Sequence, residues 1–340
     1  MPELPEVETT VRGLKKKIIG FVVKGVWTDW PKYFRLHKNP KSFEKLVSGR
    51  KIISVDRRGK NILISLSGDY LLLIHQKMSG HLMVGGWLRE KSKEAEKIIS
   101  RLGEKWRGQK WLPENPESSF ADQKNRFVRL MFFLEKSTEK NTESSKSKIL
   151  PTSSKSLDKI GKNSKLMLAF SDLRRFGKVI CDKKNIILDL SEIKKLGPEP
   201  LSPSFTLKKL KKIAVGKKGA IKKILLDQNF VSGIGNIYAD EILWLAKINP
   251  LKKIEKITPS ELKKIYSAIK KILPSAIKNR GTSMDDYRDP DGEKGNYEKY
   301  LFAYQKTGAP CSRCGTAIKR IKIMARSSHF CPKCQIFSLR

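Results

Sequence analysis

Carboxylates are scarce in this 340-residue chain. Asp and Glu number 34 against 71 Lys and Arg, which leaves a net charge of +37 and a pI near 10.0. That excess is far beyond what solubility needs. It points to a polyanionic partner, nucleic acid first and an anionic membrane surface second. Part of it is a compositional habit, because many lysines lie in low-complexity stretches. Long apolar runs are lacking as well, and no stretch approaches the ~18 residues of a membrane span. The first residues carry Glu3, Glu6 and Glu8 and no apolar core, which argues against a signal peptide. A cytoplasmic, reducing location is expected. Cysteine is sparse, with five in all and four of them in the last 30 residues. In such a compartment they are metal ligands sooner than disulfides. There is no internal repeat. The length allows two or three domains with a sizeable core.

Periodicity divides what remains. Residues 5–18 read as a helix, with Pro5 in the first turn and Val7, Val11, Leu14 and Ile18 at helical spacing. Short runs rich in Val, Ile and Leu follow at 21–27, 51–57, 62–66, 70–75 and 81–84, then at 127–134 and 166–170. Broken by Gly, Asn and Asp, they predict an all-β sandwich or barrel. Residues 89–123 are loop-rich, with one short helix near 95–102. Residues 136–164 are Ser, Thr, Lys and Glu with few large apolars and read as a flexible insertion. Three prolines within 197–205 suggest an interdomain linker. Beyond it the spacing is helical, at 207–214, 220–226, 237–246, 259–279 and a short piece at 296–301.

Four motifs carry chemistry. Cys311-x2-Cys314-x16-Cys331-x2-Cys334 supplies four thiolates in two knuckles, suited to one structural Zn²⁺ in tetrahedral geometry. Lys319, Arg320, Lys322 and Arg326 lie between the knuckles, where a two-stranded ribbon offers them to DNA. The run Gln228 to Asn236 holds two glycines that permit close backbone approach. Asn236 is placed to cap the next helix, and free N–H groups at that helix start make an anion site for a DNA phosphate. Taken alone, such a turn is only a turn. Arg57-Arg58-Gly59-Lys60 is either a solvated basic hairpin or an active-site turn. Met78, in His75-Gln76-Lys77-Met78-Ser79-Gly80, is either core filler or a wedge for a base stack. Arg174-Arg175-Phe176-Gly177 is open in the same way. Cys181 reads as an ordinary buried cysteine.

The opening Met1-Pro2-Glu3-Leu4-Pro5-Glu6 is the sharpest signal. Removal of Met1 exposes Pro2 as a secondary amine, and an α-amino group titrating at about 7.7–8.0 is partly neutral near pH 7. A neutral amine attacks carbonyl-level carbons, and Glu3 sets a carboxylate beside it for proton transfer.

Taken in order, these motifs resemble the bacterial formamidopyrimidine-DNA glycosylases, which excise oxidised purines. The likeness also rests on Leu196-Gly197-Pro198-Glu199-Pro200-Leu201 and on Val231 to Tyr238, and it spans nearly the whole chain. It implies a multidomain α+β fold: an N-terminal β-sandwich with its N-terminal helix (1–196), a helical helix-two-turn-helix domain (197–306) and a C-terminal zinc ribbon (307–340). It implies Pro2 as nucleophile, Glu3 as acid/base residue and Lys60 as the active-site lysine. Met78, Arg174 and Phe176 then fill the gap left by a flipped nucleotide. His75, Lys218, Asn236 and Arg326 contact DNA, and residues 281–295 form the loop that covers the extruded base. The implied enzyme is a monomeric glycosylase and abasic-site lyase on double-stranded DNA, nucleoid-associated, with zinc and no redox or nucleotide cofactor. Two departures stand out. The family carries a His-containing stretch where this chain reads Lys124-Asn125-Arg126-Phe127, and the 136–164 insertion is unusual. The rivals are an endonuclease VIII-like glycosylase for oxidised pyrimidines and a non-enzymatic zinc-ribbon protein that binds nucleic acid. The Met-Pro-Glu-Leu-Pro-Glu-Val opening and the Arg-Arg-Phe-Gly motif argue against the first. The Pro-Glu terminus argues against the second.

Overall fold

The computed structural model describes residues 1–37, 39–137 and 166–336. The insertion expected at 136–164 lies outside them apart from Lys136 and Ser137.

Helix α1 (Leu4–Ile18) leads into β1 (Phe21–Thr28) and the short α2 (Pro40–Val47). Strands β2 (Ile52–Arg58), β3 (Asn61–Leu66), β4 (Tyr70–His75) and β5 (His81–Gly85) follow. The brief β6 (Trp87–Arg89), α3 (Ala95–Leu102) and β7 (Trp111–Pro113) precede β8 (Val128–Lys136), β9 (Leu166–Ser171) and β10 (Lys178–Lys183). Two four-stranded antiparallel sheets result, ordered β1-β8-β9-β5 and β10-β4-β3-β2. Their facing side chains, with Val7, Val11, Leu14 and Ile18 of α1, form one buried core. The sandwich expected from the alternating runs is therefore present, as is the helix expected at 95–102. Strand β10 and helix α2 are additions that the sequence pattern does not predict.

After α4 (Lys184–Asp189) and α5 (Ser191–Lys194) the chain becomes helical. It runs through α6 (Leu207–Ala214), α7 (Ile221–Leu226), α8 (Asn236–Ala246) and the 20-residue α9 (Pro259–Lys278). Two turns separate α7 from α8. The piece expected at 296–301 is a single 3₁₀ turn, Tyr297–Tyr300. Strands β11 (Lys319–Ile323) and β12 (Arg326–Phe330) close the chain as a hairpin. Its two-residue tip, Met324-Ala325, has φ of 48° and 54°, the backbone that tight hairpins favour.

Buried and half-buried carboxylates tie these parts together. Glu199, in the Gly-Pro-Glu-Pro segment, accepts from the Arg57 and Arg58 guanidiniums at 2.5 and 3.2 Å, from the Gly59 amide at 2.6 Å and from Ser232 Oγ at 3.1 Å. Arg58 also donates to the carbonyls of Leu196 and Gly197. The proline-rich linker is thus pinned to the sandwich, and both arginines are spent inside the protein. Asp240 on α8 is paired with the fully buried Lys222 and accepts from Ser328 Oγ at 2.9 Å and the His329 amide at 3.0 Å. It holds the β11–β12 hairpin against α8. Glu241 beside it accepts the amides of Phe302, Ala303 and Tyr304 at 2.8–2.9 Å.

His81 opens β5 fully buried, and its Nε2 donates to Asn125 Oδ1 at 2.9 Å. Burial pushes its pKa down to about 4. The Asn125 bond opposes that shift, Arg288 adds to it and Asp286 opposes it. A histidine whose folded pKa is depressed gives stability that is present above its unfolded pKa near 6.5. That stability is lost as pH falls through the folded value. The melting temperature should therefore fall from pH 6.5 to 4, and His81→Gln should flatten that slope. Parallel slopes for the two proteins would contradict the assignment.

Candidate active site

The N-terminus is built into the fold. Pro2 is buried behind an exposed Met1, and Glu3 is the N-cap of α1 at 3% exposure. A capping box fixes the turn: the Glu3 amide donates to Glu6 Oε2 at 2.8 Å. The Glu3 side chain reaches across to α8. Its Oε2 accepts from the amides of Gly235 at 2.8 Å and Tyr238 at 3.3 Å, and its Oε1 accepts from the Ile237 amide at 2.9 Å. Only glycine suits position 235, because a Cβ there would overlap the Glu3 carboxylate.

Two expectations are corrected here. The N-cap of α8 is Gly235, and Asn236 is its first helical residue. The anion at this helix start is the protein's own Glu3 carboxylate, so those amides are not free for a DNA phosphate. The reason is long-range: Glu3 lies more than 230 residues away in sequence, beyond the reach of local capping rules. Asn236 instead donates through Nδ2 to the Ser327 carbonyl at 3.1 Å, and its buried Oδ1 has no partner among the described residues.

Glu6 joins the site although the sequence motifs did not single it out. It is buried, and its Oε1 accepts from Tyr238 OH at 2.5 Å and the Thr282 amide at 2.7 Å. Burial, reinforced by the Glu3 charge, pushes its pKa up to about 7. The spacing Glu3-x-x-Glu6 just before an apolar run is the signal that could have marked it. Lys60 sits in the β2–β3 turn and is 7% exposed. Burial pulls its amine pKa down, while Glu3 and Glu6 pull it up and Arg326 pushes it down. Glu3 and Glu6 are joined by a hydrogen bond, both lie near enough to Lys60 to act on its charge, as does Arg326, and Pro2 adjoins Glu3 in the chain. Arg326 itself is exposed at the start of β12, as are Lys319, Arg320 and Lys322.

The wedge residues lie at the sandwich edge. His75 ends β4 next to Asn61 of β3. Burial pushes its pKa down to about 3, with Lys77 and then Lys60 adding to the shift. Its Nδ1 accepts the Lys77 amide at 3.0 Å. Met78 is half-buried in the β4–β5 loop, while Arg174 and Phe176 project from the β9–β10 loop, Phe176 at 55% exposure. Asp172, fully buried, joins the two loops. It accepts from Ser79 Oγ at 2.5 Å, the Gly177 amide at 2.8 Å and Tyr33 OH at 3.2 Å, and Ser79 Oγ in turn accepts the Arg174 amide at 2.9 Å. Lys218 is exposed in the loop before α7 and makes no ion pair among the described residues.

Cys311, Cys314, Cys331 and Cys334 converge with all four Sγ atoms within 4.8 Å of one another. Tetrahedral Zn–S bonds of about 2.3 Å set sulfurs roughly 3.8 Å apart, so the cluster fits zinc. Cys181 is fully buried in the sandwich, and burial pushes its thiol up to about 12, as an inert core cysteine requires.

Comparison with known proteins agrees with this arrangement. The model of the formamidopyrimidine-DNA glycosylase N-terminal domain matches residues 1–179. The H2TH domain of the same glycosylases matches 196–287, and a zinc finger found in FPG and IleRS matches 308–336. The formamidopyrimidine-DNA glycosylase of Pelotomaculum thermopropionicum is 35% identical over 335 residues, covering 98% of this chain and 99% of that protein. The chain belongs to the formamidopyrimidine-DNA glycosylase family. Two solved Lactococcus lactis Fpg structures have the same fold. One holds DNA containing an abasic site and has a TM-score of 0.73. The other holds FAPY-dG containing DNA and has a TM-score of 0.72. Each is 28% identical and covers 98% of this chain and 100% of its own. Membership makes the protein a DNA glycosylase of base excision repair, a DNA-binding enzyme with a zinc finger. No helix among the described residues is long and apolar enough to cross a membrane.

Proposed function

We propose that this glycosylase removes oxidised purines from double-stranded DNA and then cuts the strand at the resulting abasic site. The observation that carries the reading is a buried Glu3 carboxylate joined to Pro2 and sharing its centre with Lys60. A stacked nucleotide hides its C1′, so the nucleotide must be flipped out. Once Met1 is removed, the neutral Pro2 nitrogen attacks C1′. Glu3 takes the proton that the Pro2 nitrogen sheds on attack, the glycosidic C–N bond breaks, its electron pair leaves with the base, and the base takes a proton. The C1′–O4′ bond then opens, O4′ takes the proton held by Glu3, and an iminium joins protein and sugar. Loss of a 2′ proton, taken up through Glu3, expels the 3′-phosphate by β-elimination. A second elimination expels the 5′-phosphate and leaves a one-nucleoside gap. Met78, Arg174 and Phe176, on loops locked by Asp172, fill the stack. Lys60, His75, Lys218, Asn236 and Arg326 engage the backbone.

The L. lactis complexes with abasic-site and FAPY-dG containing DNA support the substrate class. One zinc ion, with thiolates in all four positions and none open to water, has a structural role in this reading. The enzyme works as a monomer. The test is single-turnover cleavage of duplexes carrying 8-oxoguanine or thymine glycol. Faster excision of 8-oxoguanine, with phosphate left on both ends of the gap, is expected. Preference for thymine glycol, or an unsaturated aldehyde as the final 3′ end, would overturn it. Binding should also weaken with salt, with a log–log slope of about −0.9 per phosphate neutralised.

A further inference from the structure

The segment Lys124-Asn125-Arg126-Phe127, where the family carries histidine, packs against residues 286–292. Asn125 is buried. It accepts from His81 and donates through Nδ2 to the Ser119 carbonyl at 2.8 Å and the Gly292 carbonyl at 3.2 Å. Asp122 Oδ2 accepts Nε and Nη2 of Arg288 at 3.1 and 2.8 Å, and Arg288 is only 3% exposed. Lys124 Nζ meets Asp286 at 2.8 Å, and Ser119 Oγ donates to Glu293. The Phe120 ring lies against Gly85 and Gly292, and a Cβ on Gly292 would stand 2.8 Å from it. Both glycines are required by this packing. Residues 119–125 thus grip Asp286, Arg288, Gly292 and Glu293 of the 281–295 segment.

The gripped segment borders the catalytic centre. Its Thr282 amide donates to Glu6 Oε1, and its Tyr287 hydroxyl donates to the Glu6 carbonyl at 3.1 Å. We propose that residues 119–125 form a strap, with Asp122 and Asn125 as positioning residues, that holds 281–295 in place before DNA binds. The strap fixes the wall against which an extruded base is seated. This rests on the reading that the enzyme excises a flipped base. An extruded base must be seated to be cut from its sugar, but an abasic sugar has no base to seat. Strap and wall therefore matter for excision and not for cleavage at an abasic site.

Burial works against the Asp122 carboxylate, yet the Lys124 amide and the Arg288 guanidinium keep its pKa below the usual range. The charged pair is thus the resting state of the strap at neutral pH. The test uses the full-length, zinc-loaded protein with Asp122→Asn and, separately, Asn125→Ala, which spares the Asp122–Arg288 pair. Amide hydrogen exchange across 281–295 is measured in the free protein. Base excision and abasic-site cleavage are measured under single turnover. The strap predicts exchange faster by about tenfold or more in 281–295, against unchanged exchange in α8. It also predicts slowed excision with abasic cleavage preserved. Unaltered exchange in both variants would overturn it, as would excision and abasic cleavage falling in step. Should the wild-type protein fail to cut abasic sites, the proposed lyase function falls, and the exchange experiment still decides on the strap.

Discussion

Replacing Glu3 by Gln is expected to cut base excision by about 10²- to 10⁴-fold, the usual worth of a positioned acid/base group. The geometry adds a second consequence. The Glu3 carboxylate accepts three α8 amides, on both oxygens. However a Gln side chain is turned, its NH₂ faces a backbone N–H and strands a buried donor. That costs about 1–3 kcal/mol, a fraction of the roughly 5–15 kcal/mol that holds a typical domain folded. The variant should melt earlier yet remain folded and bind lesion DNA at ordinary assay temperature. A single-turnover assay beside a melting curve separates the two effects. Wild-type excision by a folded Glu3→Gln protein would remove Glu3 from the chemistry.

The second large effect concerns the metal. Changing Cys331→Ser or chelating zinc should abolish lesion binding and incision while leaving the sandwich folded. Structural zinc contributes about 10–16 kcal/mol to small zinc modules, far more than the short ribbon could gain by packing alone. The ribbon meets the rest of the protein through Asp240, which accepts from Ser328 and His329, through Gln335 with Ile248 and Asn249, and through apolar packing around Trp244. Without the metal the hairpin carrying Lys319, Arg320, Lys322 and Arg326 should detach. The salt slope of binding should then shrink by about 0.9 for each phosphate that the hairpin no longer neutralises. Zinc content, salt-dependent binding and the circular dichroism of the sandwich report the three parts. Normal cutting by a zinc-free protein would make the ribbon dispensable.

Local features are legible in the sequence. Alternation marks the strands of the sandwich, helical spacing marks α1, α6, α8 and α9, and cysteine spacing marks the metal cluster, because each signal is contained within one element. Strand β10 is not legible because its Lys178-Val-Ile-Cys-Asp-Lys183 run is short and charged at both ends. What joins elements is hidden as well. Glu199, Asp172 and Asp240 each bind groups far away in the chain, and nothing near them in sequence announces it. The same limit explains the α8 cap, where Asn236 satisfies every local rule and Glu3 takes the place. Arg57 and Arg58, read as a solvated basic hairpin or an active-site turn, prove to be clamps on Glu199.

The central claim is that the amine of Pro2 is the nucleophile, and borohydride trapping on lesion duplex tests it most directly. Two preparations are compared, one with Met1 removed and one with Met1 retained, where the Pro2 nitrogen is a non-nucleophilic amide. The account predicts a cross-linked protein–DNA band from the first and none from the second. Equal trapping by the blocked protein would contradict it and assign the attack to a lysine, with Lys60, whose pKa burial lowers, the first to examine.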